Sequence, residues 1–236
     1  MNAMILAAGR GERMRPLTDR CPKPLLEAGG KPLIVWHLER LRAAGFSRVV
    51  INHAHLGEMI ERALGTGDRW GLEIAYSAEG VALETAGGVA FALPLLGDAP
   101  FLVVNGDIWC DFDFALAPRM ASLLAGGEID ACCVLVPNPA HNPGGDFALA
   151  ASGQIAPPFA RLRADAGPAL TFSGIAVYAP RLLQGVQRGA RAPLAPLLRL
   201  AAERGRAAGL RHDGRWVDVG TPQRLAELDA QLRRED

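Results

Sequence analysis

Lysine is almost missing from this chain. Lys23 and Lys31 are the two lysines among 25 basic residues, and arginine makes up the rest. Net charge of one sign is missing too: 25 basic residues face 25 acidic ones. Nothing global therefore points to nucleic acid or to a membrane surface, and any anion must be met by a local patch. Four cysteines, Cys21, Cys110, Cys132 and Cys133, form no CxxC pair, which argues against a zinc ribbon. They read as free thiols in a reducing compartment, the cytoplasm. No apolar run approaches the ~20 residues of a membrane span. The opening MNAMILAAG is too short for a secretory core and runs directly into charge, so no signal peptide is expected. The histidines make no obvious triad with a serine.

Half of the 236 residues are apolar, enough for a sizeable core. The length suits a single domain over 1–236, read as a first half at about 1–130 and a second at about 131–236. Strands are predicted at Ala3–Ala8, Arg48–Asn52, Glu73–Ser77 and Phe101–Asn105. Helical spacing lies between them at Leu33–Ala44, Leu56–Leu64 and Gly87–Leu95. That alternation predicts an α/β fold: a Rossmann-like, mostly parallel sheet whose ligands gather at the carboxyl ends of the strands. The rhythm then changes. Ala131–Pro137, Phe147–Ala151 and Leu170–Tyr178 read as strands without intervening helices, an antiparallel segment expected to form a small lid. Pro193–Arg204 and Pro222–Arg234 read as helices with proline near the start.

The first strand runs into Gly9-Arg-Gly11-Glu-Arg13. Through residue 31, Arg10, Arg13, Arg15, Arg20, Lys23 and Lys31 face only Glu12, Asp19 and Glu27, six charges against three. A P-loop, GxxxxGK[ST], is absent. A dinucleotide fingerprint needs a third glycine where Met14 stands, which disfavours an NAD-binding dehydrogenase. A GxG turn alone is equally a tight surface turn. Its N–H groups are also able to hold phosphate oxygens, and Arg13 adds charge-assisted bonds. Lys23 stands between Pro22 and Pro24, which stiffen its base. A lysine kept in an arginine-rich chain suggests a crowded site that admits a compact point charge and not a broad fork.

These residues closely resemble the signature of the sugar-1-phosphate nucleotidyltransferases, LAAGRGERMRPLT…PKPL. The resemblance continues in order through Leu83-Glu-Thr-Ala-Gly-Gly88, Val104-Asn-Gly-Asp107, Thr171-Phe-Ser-Gly174 and Trp216-Val-Asp-Val-Gly-Thr221. It implies a nucleotide-binding α/β core that joins a nucleoside triphosphate to a sugar 1-phosphate with release of pyrophosphate. Chain length and the stretches INHAHLGE and LLGDAPFLVVNGDIW most resemble the branch that uses UTP and N-acetylmuramate 1-phosphate in peptidoglycan recycling.

The chemistry brings two anions together, and two unit charges at ~4 Å repel by ~4 kcal/mol at an effective dielectric of 20. Catalysis is therefore positioning and charge neutralisation. The sugar phosphate is its own ionised nucleophile, so no enzyme base is needed. Mg²⁺ prefers one or two carboxylates with phosphate oxygens and water. Asp107, after an apolar strand, and Asp218, in an apolar run, suit it, and the resemblance implies metal ligands at both.

Arg13 is the candidate for holding the β- and γ-phosphates as pyrophosphate leaves, and the resemblance implies that Lys23 bridges the α-phosphate and the sugar phosphate. The base is expected near Ala8 and Gly9 and near Glu79–Thr85, which includes Glu84, with Gly11 also in the nucleotide site; the resemblance places the sugar near Asn105, Gly145 or Asp146, and Ser173-Gly174. Glu79 stands where the family often has glutamine. A carboxylate accepts but does not donate, so Glu79 disfavours cytidine, permits uridine and thymidine, and leaves guanosine open. A lactyl carboxylate on the sugar needs a cation, and Arg161, Arg163 and Arg215 are candidates without a choice among them. The expected partners are small molecules, with oligomeric state left open. Rival readings are a mannose-1-phosphate guanylyltransferase, a glucose-1-phosphate uridylyl- or thymidylyltransferase, and a non-catalytic nucleotide-sugar sensor.

Overall fold

A computed structural model describes residues 1–150, 155–164 and 167–235. In chain order the elements are β1 (Ala3–Leu6), β2 (Glu27–Ala28), β3 (Lys31–Pro32), α1 (Leu33–Ala43), β4 (Arg48–His53), α2 (Gly57–Leu64), β5 (Glu73–Ala78) and α3 (Glu84–Leu96). There follow β6 (Phe101–Asn105), β7 (Ile108–Cys110), α4 (Ala117–Ala125), β8 (Ala131–Val136), β9 (Ala148–Ala150), β10 (Ala160–Arg163) and β11 (Thr171–Tyr178). The chain ends with α5 (Ala195–Glu203), β12 (Ala207–Arg211), β13 (Trp216–Asp218) and α6 (Pro222–Leu232).

A nine-stranded sheet in the order β5-β4-β1-β6-β11-β8-β12-β10-β9 organises the molecule. β5, β4, β1 and β6 are parallel, as the alternating pattern predicts. Every strand but β10 and β11 runs in that same direction. The expected antiparallel segment is present as β11 and the β9–β10 pair. It is continuous with the main sheet: β8 and β11 lie in its middle, β8 wholly buried and β11 buried at every residue but Phe172. A lone antiparallel strand between parallel ones needs no crossover helix, which is why the rhythm changes in the sequence without a change of layer. The Phe147–Ala151 strand is narrower than expected, and Ala151 lies outside the described residues. The helix α4 was not expected, although Ala117, Met120 and Leu124 are its buried face.

Alternation along the strands divides the core. Ala3 and Ile5 of β1 pack under α1, α2 and α4, while Met4 packs on the other face with α3 and α5. Cys132 and Cys133 follow the same rule and point to opposite faces. Burial pushes the Cys133 thiol up to about 12, consistent with an unreactive core residue. A third cluster gathers Met14, Leu33, Trp109, Val219 and Leu228, fastening the glycine turn to α6. Met14 is fully buried there. It anchors the turn to this core at the position where a dinucleotide motif needs a glycine.

Candidate active site

β1 ends two residues sooner than its apolar run because Asn52 takes over: the Ala7 N–H donates to Asn52 Oδ1 at 2.9 Å. The freed backbone opens a cavity of about 450 Å³ at the carboxyl ends of β1, β4 and β6. Ala8, Gly9, Gly11, Arg13 and Lys23 form one wall, Glu84 and Thr85 another, and Asn105 and Asp107 the floor. Residues far apart in the chain thus meet in one cavity.

Gly11 has a left-handed backbone, φ 67°, which favours glycine. A Cβ there would stand 2.9 Å from Thr18 Cγ2 and 3.4 Å from Lys23 Cβ. The turn therefore packs against the lysine stem, and Thr18 Oγ1 donates to the Gly11 carbonyl at 2.8 Å. Lys23 is 7% exposed, and its Nζ reaches Asp107 Oδ2 at 2.7 Å. Lys31 is elsewhere: it pairs with Glu39 at 2.6 Å and lies over the Trp36 ring.

The two predicted acids are neighbours. β7 and β13 pair antiparallel with Asp218 opposite Ile108, and the Val219 N–H donates to the Asp107 carbonyl at 3.0 Å. Among the described residues no group of three or more His, Cys, Asp or Glu is placed to hold a metal ion. One carboxylate in the cavity lining, Asp107, and a second behind Gly220, Asp218, nevertheless suit Mg²⁺, which takes few protein ligands and completes its shell with phosphate and water. Each acid is paired with a cation, Asp107 with Lys23 and Asp218 with Arg224 at 2.6 Å, and His141 Nε2 stands 3.2 Å from Asp218 Oδ2.

Under this pair lies His37, fully buried, whose Nε2 is 2.9 Å from the Ile108 carbonyl. A carbonyl only accepts, so Nε2 carries the proton. Burial, the largest cause, pushes the imidazole down to about 4, with Arg40 acting in the same direction.

Other predicted residues stand outside the cavity lining. Glu79 Oε1 accepts from Asn52 Nδ2 at 2.6 Å and Oε2 from the Leu83 N–H at 2.9 Å. It braces Asn52 and the approach to α3, so Asn52 is the side chain that faces the cavity. Ser173 is buried, its Oγ donating to the Val134 carbonyl at 2.7 Å. Gly174 abuts Asn105, whose Nδ2 lies 2.6 Å from where a Cβ would be. Asp146 accepts from the Phe172 N–H at 2.8 Å, and Gly145 packs on Ala169. The third and fourth amides of α3 are occupied: Ala86 and Gly87 both donate to the Ala192 carbonyl.

The three candidate cations for a lactyl group lie away from this cavity's walls. Arg161 and Arg163 line a second cavity with the end of α5, where Arg161 donates to the Gly205 carbonyl. Arg215 pairs with Glu235 at 2.6 Å and lies over Trp109. Sequence reading missed Asn52, His141, Gly220 and Arg224. Asn52 carried a signal as a polar residue at the carboxyl end of a parallel strand, and Gly220 lay inside the Trp216–Thr221 motif; His141 and Arg224 carried none.

Residues 2–147 match the family model described as nucleotidyl transferase. The chain belongs to that family. A nucleotidyl transferase of Neisseria meningitidis serogroup B, N-acetylmuramate alpha-1-phosphate uridylyltransferase, is 54% identical over 98% of this chain and 97% of its own. A protein of the same name from Caulobacter vibrioides is 36% identical over 98% and 96%. A solved structure of a putative glucose-1-phosphate thymidylyltransferase from Bacillus anthracis shares the fold, with a TM-score of 0.81 at 19% identity over 99% of this chain and 96% of that one.

Proposed function

We propose that this nucleotidyl transferase joins UTP to N-acetylmuramate 1-phosphate, giving UDP-N-acetylmuramate and pyrophosphate. Two relatives of that activity, matched over nearly their whole length, support the reading. The observation that carries the chemistry is the 2.7 Å contact between Lys23 and Asp107 within the cavity. It puts one compact cation, reached from below, beside a carboxylate that faces the open site.

The sugar phosphate oxygen attacks the α-phosphorus in line, the bond from that phosphorus to the bridging oxygen breaks, and pyrophosphate departs. Lys23 turns from Asp107 to the two phosphates and offsets their repulsion. Arg13, which has no carboxylate partner among the described residues, holds the leaving pyrophosphate. Mg²⁺ bound by Asp107 and Asp218 would neutralise further phosphate charge. Ala8, Gly9, Asn52 and Thr85 bound the base and ribose. This reading places the protein in the cytoplasm and in peptidoglycan recycling.

Pyrophosphate release is the test, measured for UTP, GTP and dTTP against N-acetylmuramate, N-acetylglucosamine, glucose and mannose 1-phosphates. UTP with N-acetylmuramate 1-phosphate should have the highest kcat/KM. A better rate for GTP with mannose 1-phosphate would replace this reading with a guanylyltransferase. Silence with every pair would leave a sensor.

A further inference from the structure

Arg224 is the third residue of α6, and the helix cap aims it. Thr221 Oγ1 accepts from the Arg224 N–H at 3.3 Å and lies 3.4 Å from its Nε. Nη1 bonds Asp218 Oδ2 at 2.6 Å and stands 3.2–3.3 Å from the ring nitrogens of His141. Nη2 has no acceptor among the described residues. It stands over Gly220, 2.8 Å from where a Cβ would be, and Gly220 lines the cavity. That missing Cβ leaves the space open: Asp218 Oδ2 is 3.0 Å and Arg13 Nη2 3.2 Å from the same point.

His141 tells which side of the cavity this is. It belongs to the loop after β8, whose Asn142 and Asp146 bond each other at 3.2 Å. Asp146 holds the Phe172 N–H, next to Ser173 and Gly174, and Gly174 touches Asn105 on the cavity floor. Arg224 and His141 therefore come from the second half of the chain, and Arg13 Nη2 of the glycine turn meets them at Gly220. A guanidinium and an imidazole share a single carboxylate oxygen, and one guanidinium nitrogen remains unused.

We infer that Arg224, with His141 beside it, is the anion site for the lactyl carboxylate of the sugar substrate. A guanidinium with a free nitrogen next to an imidazole matches a carboxylate, which accepts from both. The inference rests on the functional reading above. It makes Arg224 a specificity residue: the phosphates are common to every sugar phosphate, and the lactyl ether is what separates N-acetylmuramate from N-acetylglucosamine.

Calorimetric dissociation constants for UDP-N-acetylmuramate and UDP-N-acetylglucosamine, at fixed magnesium and salt, give the test as a ratio. Effects on the fold, on Asp218 or on phosphate binding cancel in that ratio. The unsubstituted protein should prefer the lactyl compound by roughly ten- to hundredfold, the scale of a charge-assisted contact. Arg224→Ala should bring the ratio to near one, and Arg224→Lys should restore part of it. His141→Ala, on an exposed loop, should lower it several-fold and keeps the test open if Arg224→Ala does not fold. A ratio unchanged by both alanine variants overturns the inference while leaving the enzyme's identity intact. If the unsubstituted protein shows no preference, the functional reading falls, and this inference with it.

Discussion

Lys23 and Asp107 are 84 residues apart in the chain, and 2.7 Å separates their charged atoms. The lysine side chain is 8% exposed and that of the aspartate 40%. The cation is thus held beneath a carboxylate that faces the open cavity. Gly11 packs on the lysine stem, leaving no room there for a wider group.

Lys23→Ala should lower kcat by roughly a hundredfold or more, the scale of a lost electrostatic stabiliser. Lys23→Arg should not restore it, because a planar fork does not replace a point charge at a packed stem. Steady-state pyrophosphate release checks both, and near-normal turnover in either variant contradicts the role.

Asp107→Asn and Asp218→Asn test the metal. Each should raise the Mg²⁺ concentration for half-maximal rate by at least ~10-fold, since an amide keeps the shape but loses the charge a hard cation prefers. An unmoved magnesium titration for both variants would remove the pair as ligands.

The stretch Asn52-His53 followed by Gly57 is explained by packing as much as by the site. A Cβ at Gly57 would stand 1.9 Å from His53 Nδ1, and His53 pairs with Glu61 at 2.7 Å. Gly57→Ala must displace a buried ring at the start of α2, costing about 2–3 kcal/mol. Thermal melting should show a fall of about 4–12 °C for a domain of this size.

His37 sets a pH dependence of stability. Its folded value, about 4, lies below the ordinary 6.5, so the unfolded chain binds the proton more readily. The stabilisation is complete above pH 6.5 and is lost as pH falls toward 4, in all about 3 kcal/mol. His37→Gln keeps an N–H for the Ile108 carbonyl and does not titrate. Urea unfolding at pH 7 and pH 4.5 should show a smaller acid loss in the variant, by about 2 kcal/mol; equal losses refute the assignment.

The parallel half of the sheet was legible because its signals are local. Apolar runs of strand length alternating with helical spacing need no knowledge of the rest of the chain. β8 and β11 were legible as strands but not as the sheet's centre, since position in a sheet depends on partners. For the site, the acids and Lys23 were found through their motifs, and the structure brings them together. Glu79 was seen from sequence as a free acceptor for the base, yet both of its oxygens already accept from Asn52 and Leu83.

Residue types and their order determined by themselves the α/β class, the cationic glycine turn, the single compact cation at Lys23 and the two acids. Each of these is a property of a short segment. Only the tertiary structure decided which charges meet: that Asn52 ends β1, that Arg161, Arg163 and Arg215 lie apart from the cavity, and that Arg224 and His141 converge on Asp218. Charge pairs form across distances of a few ångströms that sheet order and helix placement set, and no spacing along the chain encodes them.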